Sequence, residues 1–392
     1  MTCNGTDEQM SNEYNNSVII DAVRSPIGMI DGKMAGIRPD NLMAQILSGL
    51  LTRNQHLPVH AIEDVVLGCA FPEGPQGMLL ARGAAILAGL PPETGGKVVN
   101  RFDGASMDAL HQVDAAIRLG DYQAAIACGV EDLRSVPAGG FNPSFHPELH
   151  RRNYYLSPGE AAEILAREGK ISRDVQEEFA SNSHNKALDA WDNGYFDNEV
   201  IPVQYNNHII VRDEGPGEPD PEKMSTLPPL FAKEGSITAA TSSPEAIGAA
   251  AVLLTSEDFA RQHSLKPRAR ILSRAICGVS WERAGSGPLP ATEKALSRAG
   301  LDIDDIDIIE LDETFAAQAL YAILKSGWPF NKINLNGGAI ALGHPPGCAG
   351  ARIITTLINL LEQQSARYGL AAMAIGGGQG IATVIERIGG DL

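Results

Sequence analysis

Short apolar strands alternate with amphipathic helices along this chain, and the alternation is run through twice. In the first half, Ser17 to Val23 reads as a strand, Pro39 to Leu51 as a helix, Asp64 to Cys69 as a strand and Met78 to Leu90 as a helix. A helix over Asp103 to Leu119 then feeds a strand of small residues, Gln123 to Cys128. In the second half Ile306 to Leu311 is a strand, Glu313 to Lys325 and Gly347 to Leu361 are helices, and Leu370 to Ile375 is a strand. Strands apolar on both faces need cover on both faces, so the pattern specifies an α/β fold with a covered sheet. The junction Ala116-Ile117-Arg118-Leu119-Gly120-Asp121 has a counterpart in Ala366-Arg367-Tyr368-Gly369-Leu370-Ala371. Each passes a glycine-containing turn into small apolar residues. An internal duplication accounts for this, with two unrelated strand–helix units as the alternative.

Residues 135–235 break the rhythm. They are rich in Pro, Asn, His and charge, show one clear helix, Arg173 to Asn193, and include Gly215, Pro216, Gly217, Pro219 and Pro221. Such an insertion commonly covers a binding site. The expected division is a disordered tail over 1–16, a first half over 17–134 plus 236–270, the inserted loop domain over 135–235, and a second half over 271–392.

With 31 basic and 48 acidic residues the chain carries a net charge of −17. That surface repels nucleic-acid phosphates and anionic membranes, so neither is an expected partner, and an anionic ligand would need local positive charge. No apolar run is long enough to span a bilayer. Met1 to Ser17 is polar, with three acidic side chains, and lacks the pattern of a targeting peptide. The five cysteines, Cys3, Cys69, Cys128, Cys277 and Cys348, are odd in number and irregular in spacing. They fit a reducing, cytoplasmic setting and argue against disulfides or zinc. Nine histidines show no metal-ligand spacing, so no metal or redox cofactor is expected.

The most specific stretch is Asn334-Leu335-Asn336-Gly337-Gly338-Ala339-Ile340-Ala341-Leu342-Gly343-His344-Pro345-Pro346-Gly347-Cys348-Ala349-Gly350-Ala351-Arg352. A glycine-rich loop presents one imidazole, bracketed by Gly343 and Pro345, just before a helix. Glycines permit close approach of backbone to a ligand, and an imidazole so placed suits a reactive site.

This loop closely resembles the signature of the thiolase family, and the resemblance runs from about Ser17 to Arg387. Asp21-Ala22-Val23-Arg24-Ser25-Pro26-Ile27-Gly28, Ile171-Ser172-Arg173, Ser183-His184, Thr238-Ala239-Ala240-Thr241-Ser242-Ser243 and Gly376-Gly377-Gly378-Gln379-Gly380-Ile381-Ala382 match further family segments in order. The chain looks most like 3-ketoacyl-CoA thiolases, including the β-subunit of bacterial fatty-acid oxidation complexes. The resemblance implies two βαβ-rich halves in a five-layered α/β/α/β/α core with an inserted loop domain. It also implies an acyl-CoA thioester as ligand, a homodimer or dimer of dimers with a partner enzyme subunit as a further option, and contacts to the ligand from Arg24, His184 and Ser243.

The resemblance further implies a cysteine nucleophile, a second cysteine that moves protons, and a histidine that shares an oxyanion hole with a water held by asparagine. His344 is the histidine. Asp103, in Asn100-Arg101-Phe102-Asp103-Gly104, stands where the nucleophile belongs, Ala374 where the second cysteine belongs, and Asp312 where the asparagine belongs. Carboxylate is a weaker nucleophile than thiolate, and its acyl form is a reactive mixed anhydride. Alanine moves no proton, and an ionised Asp312 opposes a nearby enolate. Main-chain N–H groups of Asp103 and Gly376 are expected to supply the second oxyanion hole. Cys348 reads as structural. Each substitution also has a plain reading: Asp103 as a helix cap, Asp312 as a drifted asparagine, Ala374 as packing.

The expectation from these residues is an acyl-CoA-binding protein without thiolase activity. The alternatives are an acyl-CoA enzyme of altered chemistry through Asp103 and His344, by hydrolysis, decarboxylation or transfer to another acceptor, and a working acetyl-CoA acyltransferase of fatty-acid metabolism. A structural protein with a collapsed pocket is the most distant reading.

Overall fold

The computed structural model describes residues 15–389. The expected tail lies outside them except for Asn15 and Asn16. Both are tied down, the Asn15 N–H to Arg118 O at 3.1 Å and the Asn16 side chain to Glu257 at 2.7 Å.

The strands that build the two halves are β1 (Ser17–Arg24), β2 (Ile62–Gly68), β3 (Lys97–Val99), β4 (Ala124–Asp132), β5 (Ala246–Ser256), β6 (Ala269–Gly278), β7 (Ile308–Leu311), β8 (Tyr368–Ile375) and β9 (Gln379–Arg387). The helices that matter are α1 (Pro39–Arg53), α2 (Leu80–Leu87), α3 (Ala105–Leu119), α4 (Pro158–Gly169), α5 (Arg173–Asp192), α6 (Pro288–Ala299), α7 (Ala316–Ser326) and α8 (Pro346–Gln363). In the first half the strands pair in the order β3-β2-β4-β5-β1, and in the second in the order β7-β8-β9-β6. The duplication is visible in this register. β2 runs parallel to β4, and β4-β5-β1 continue antiparallel; β7 runs parallel to β8, and β8-β9-β6 continue antiparallel. The two runs meet edge to edge through one pairing, Ile19 with Ala269.

Burial explains the composition of the strands. Every residue of β1, β4 and β5 is buried, because helices cover both faces. The layer between the two runs of strands is made by α3 and α8, whose Met107, Leu110, Val113, Ile353, Ile354 and Leu357 share one core with β1, β4, β8 and β9. α8 is buried from Pro346 through Leu361, as a helix with apolar neighbours all round must be. Outside the first half lie α1 and α2, and outside the second lie α6 and α7. The resulting order is α1/α2, strands, α3/α8, strands, α6/α7.

Three expected elements differ. The helix expected over Met78 to Leu90 spans only Leu80–Leu87, because Met78 and Leu79 adopt left-handed φ of 52° and 57°. The helix expected from Glu313 begins at Ala316, since the Glu313 carboxylate turns inward to accept hydrogen bonds from Ser183, Asn334 and the Ile340 N–H. The inserted region holds more than one helix. Pro147–Arg151, α4 and Pro221–Thr226 join α5 there, and α4 opens with a reciprocal Ser157–Glu160 cap.

Candidate active site

Asp103 lies in the one-turn helix Phe102–Gly104 that leads into α3. Phe102 carries a left-handed φ of 43°, an uncommon conformation for a phenylalanine that swings Asp103 away from the helix it precedes. The Asp103 side chain makes no cap to α3. Its Oδ1 lies 3.1 Å from His344 Nε2, and its Oδ2 accepts from the Gly376 N–H at 3.1 Å. The capping reading of Asp103 is therefore corrected: two partners from the second half have claimed its carboxylate.

His344 sits between the short helix Ala339–Leu342 and α8, with its own N–H donated to Pro244 O at 3.1 Å. Gly343 before it has φ 104°, and a Cβ there would meet Met29 Cε at 2.8 Å, so glycine is required for this presentation of the imidazole. Asp312 follows β7. Its Oδ2 accepts from Thr314 Oγ1 at 2.7 Å, and its Oδ1 lies 3.3 Å from His344 Nδ1. The Nδ1 contact is off the line of a hydrogen bond, so it acts as an ion pair more than as an aligned bond.

The row Asp103–His344–Asp312 has a clear charge state. Burial works against a charge on His344, but the carboxylates of Asp312 and Asp103 outweigh it and raise its pKa to about 10. Burial alone would raise Asp312, yet the imidazolium and Thr314 hold it below the usual carboxylate range. His344 is thus an imidazolium that donates from Nε2 to Asp103. The charge of Asp312, expected to oppose an enolate, is spent on keeping that proton in place.

Beside Asp103 lies a cavity of ≈ 70 Å³ whose lining includes Tyr154, Pro158, Trp281, Thr314, Ala374 and Gly376. Ala374 faces it without a proton to exchange. The Gly376 N–H points at the site and is occupied by Asp103 itself. Ser243 stands one step behind the wall, its N–H donating to Thr314 O at 3.0 Å. Arg24 does not line this cavity. It is fully buried between Glu199 (2.6 Å) and Asp213 (2.7 Å), under the ring of Phe196, so its expected role as a ligand contact is withdrawn: all its charge is neutralised inside the protein. His184 is also elsewhere, on α5, with Nδ1 accepting from the Gly217 N–H at 3.3 Å. Cys348 is fully buried and burial pushes its thiol up to about 12, which fits a packing role. No group of metal-ligating side chains occurs among the described residues, and no described helix is long and apolar enough to cross a membrane.

Residues not anticipated from sequence are Thr314, Arg101, Tyr154 and Trp281. Arg101 links the entry to α3 with the second half, through Asp108 at 3.1 Å and Gln379 at 2.9 Å. The partners of Arg101, Tyr154 and Trp281 lie in other elements, out of reach of a local reading, whereas Thr314 bonds Asp312 only two positions away.

Comparison with known proteins places this geometry. Profiles of the thiolase N-terminal domain and the thiolase C-terminal domain match residues 17–258 and 265–387. The chain belongs to the thiolase family. A 3-ketoacyl-CoA thiolase of Vibrio parahaemolyticus is 44% identical, over 96% of this chain and 100% of its own length. One from Salmonella typhimurium is 44% identical over 95% of this chain and 99% of its own. The crystal structure of the Bacillus anthracis acetyl-CoA acetyltransferase superposes with a TM-score of 0.89 at 34% identity, over 96% of this chain and all of that one. Thiolase relatives this similar over their whole length overturn the expectation of a protein that binds acyl-CoA without activity. The pocket of this thiolase chain has not collapsed either: the charged row opens onto a cavity.

Proposed function

We propose that this chain is an acyltransferase that acts on 3-ketoacyl-CoA thioesters, with Asp103 as nucleophile and His344 as the proton-carrying electrophile. The observation that carries the reading is the Asp103 carboxylate held 3.1 Å from the His344 imidazolium at the edge of a cavity, beside the Gly376 N–H.

Asp103 adds through one oxygen to the C3 ketone, and the Gly376 N–H that now binds the carboxylate turns to the new oxyanion. The C2–C3 bond then breaks. Its electron pair passes to C2 as the enolate of acetyl-CoA, which the imidazolium stabilises and protonates. That proton transfer compensates for the missing acid at Ala374. The acyl group remains on Asp103 as a mixed anhydride. The neutral imidazole then takes the proton of an incoming CoA thiol, sulfur attacks the anhydride, and acyl-CoA leaves with the Asp103 carboxylate restored. Carboxylate is less nucleophilic than thiolate, so turnover is expected to be slow for this reaction class. A homodimer, which rests on the family resemblance alone, and a cytoplasmic setting, which rests on the cysteine pattern, complete the reading.

The test is acetyl-CoA formation from acetoacetyl-CoA and CoA, with hydroxylamine added to trap the anhydride. Acetyl-CoA, together with an acyl hydroxamate that vanishes in Asp103→Asn, is the expected result. No acetyl-CoA above the uncatalysed background would sink the proposal.

A further inference from the structure

The cavity at Asp103 is small, and its far wall is aromatic. We infer that this site takes short acyl groups, of about four carbons or fewer, and that Tyr154 and Trp281 set the limit. The inference rests on the reading above that the ligand is an acyl-CoA. An apolar cavity of roughly 150 Å³ holds benzene. The ≈ 70 Å³ beside Asp103 is about half of that, room for about three carbons beyond the reacting carbonyl.

The wall is braced, so a longer chain cannot simply push it aside. Trp281 donates its Nε1–H to Arg152 O at 3.1 Å and meets Tyr154 edge-on, with ring centroids 5.9 Å apart. Tyr154 packs in turn on Tyr155 at 5.3 Å, and Tyr155 on Phe145 at 4.7 Å. The Tyr154 hydroxyl and the Trp281 backbone lie close against the loop that carries the Gly376 N–H. A Cβ at Gly377, where φ is +75°, would meet the Tyr154 hydroxyl at 2.8 Å, and one at Gly378 would meet Trp281 Cα at 2.7 Å. Displacing the wall would therefore disturb the oxyanion donor as well as the packing.

Polarity points the same way. Gln318 lines this cavity, is 6% exposed, and its Nε2 has no partner among the described residues. A short acyl group leaves space for water on that amide. A long hydrocarbon tail would exclude the water and strand a buried donor, which is costly. Three larger spaces, of ≈ 520, ≈ 570 and ≈ 660 Å³, share no lining residue with this cavity and offer no continuation for a tail.

The test uses S-butyl-CoA and S-dodecyl-CoA, thioethers that bind without transferring an acyl group, titrated by calorimetry into the whole protein. The wild type should bind S-butyl-CoA at least about tenfold more tightly, the penalty expected for overfilling a packed site. Trp281→Ala and Tyr154→Ala should each narrow that ratio by several-fold. Equal or tighter binding of S-dodecyl-CoA by the wild type overturns the inference, as does an unchanged ratio in a folded variant. Should neither variant fold, the wild-type ratio alone decides. If neither thioether binds, the inference falls and the acyl-CoA reading with it. Selective binding of the short thioether without any acyl transfer leaves the inference standing and sinks only the proposed reaction.

Discussion

Among the described residues two buried cations, Arg24 and His344, are each held between two carboxylates, and they do opposite things. Arg24 lies between Glu199 and Asp213, and all three side chains are inaccessible. Its fork is used up: Nε donates to Glu199, and Nη1 and Nη2 donate to the two oxygens of Asp213. Glu199 and Asp213 come from the inserted region and Arg24 from β1, so the trio clamps insertion to core. His344 lies between Asp103 and Asp312, but its bonding is incomplete. Nδ1 is poorly aligned, and the Asp103 side chain keeps 21% of its surface exposed toward a cavity. The charge arithmetic is the same. What separates clamp from site is access and the nature of the cation: a guanidinium keeps its proton, whereas an imidazolium can give one away.

The largest effect should come from breaking the clamp. Arg24→Met leaves two buried carboxylates unpaired, and a loss of about 3–5 kcal/mol is expected in urea unfolding. The exposed pair Arg212–Asp192 serves as control, and Arg212→Met should cost about 1 kcal/mol or less. If both variants shift the midpoint alike, the Arg24 trio is no clamp. His344→Gln breaks the other trio. Acyl transfer should drop by about 100-fold or more while the unfolding midpoint moves far less than in Arg24→Met. A large stability loss with intact turnover would reverse the two assignments.

Asp312→Asn sharpens the contrast without removing the imidazole. It takes away the foremost of the two carboxylate influences on His344, so the imidazolium pKa should fall from about 10 toward its ordinary 6.5, readable by NMR titration of the ring. An unmoved titration would show that Asp103 alone holds the proton. The mildest effect belongs to pH itself. The folded pKa of His344 lies above its ordinary value, so its contribution to stability is complete below about 6.5 and drains away as pH climbs through about 10. Arg24 stays charged throughout that window, its pKa raised by Asp213 and Glu199 against the opposing effect of burial. Wild type should therefore lose stability between pH 7 and 10.5 by an amount that His344→Gln does not show. Equal slopes for the two proteins would contradict the assigned charge state.

Much of this was legible along the chain. The strand–helix rhythm predicted a duplicated α/β core, and the parallel-then-antiparallel pairing repeats in both halves. Gly343-His344-Pro345 announced a presented imidazole, and glycine at 343 proved necessary for it. Local pattern was misleading where a side chain answered to a distant partner. Asp103 read equally well as a helix cap until its carboxylate was found on His344, 241 positions away, and on Gly376, 273 positions away. Arg24 read as a ligand contact because its segment matches the family, yet Glu199 and Asp213 consume it. The aromatic wall of Tyr154 and Trp281 had no signature at all, since it exists only where the inserted region folds back over the second half.

Periodicity and glycine placement are local properties, so the sequence by itself determined the covered α/β sheet, its repetition and the presented histidine. The charge on His344, the burial of Arg24 and the size of the acyl cavity each depend on groups brought together from elements far apart in the chain. Electrostatic fields and excluded volume act through space, and only the tertiary structure decided them.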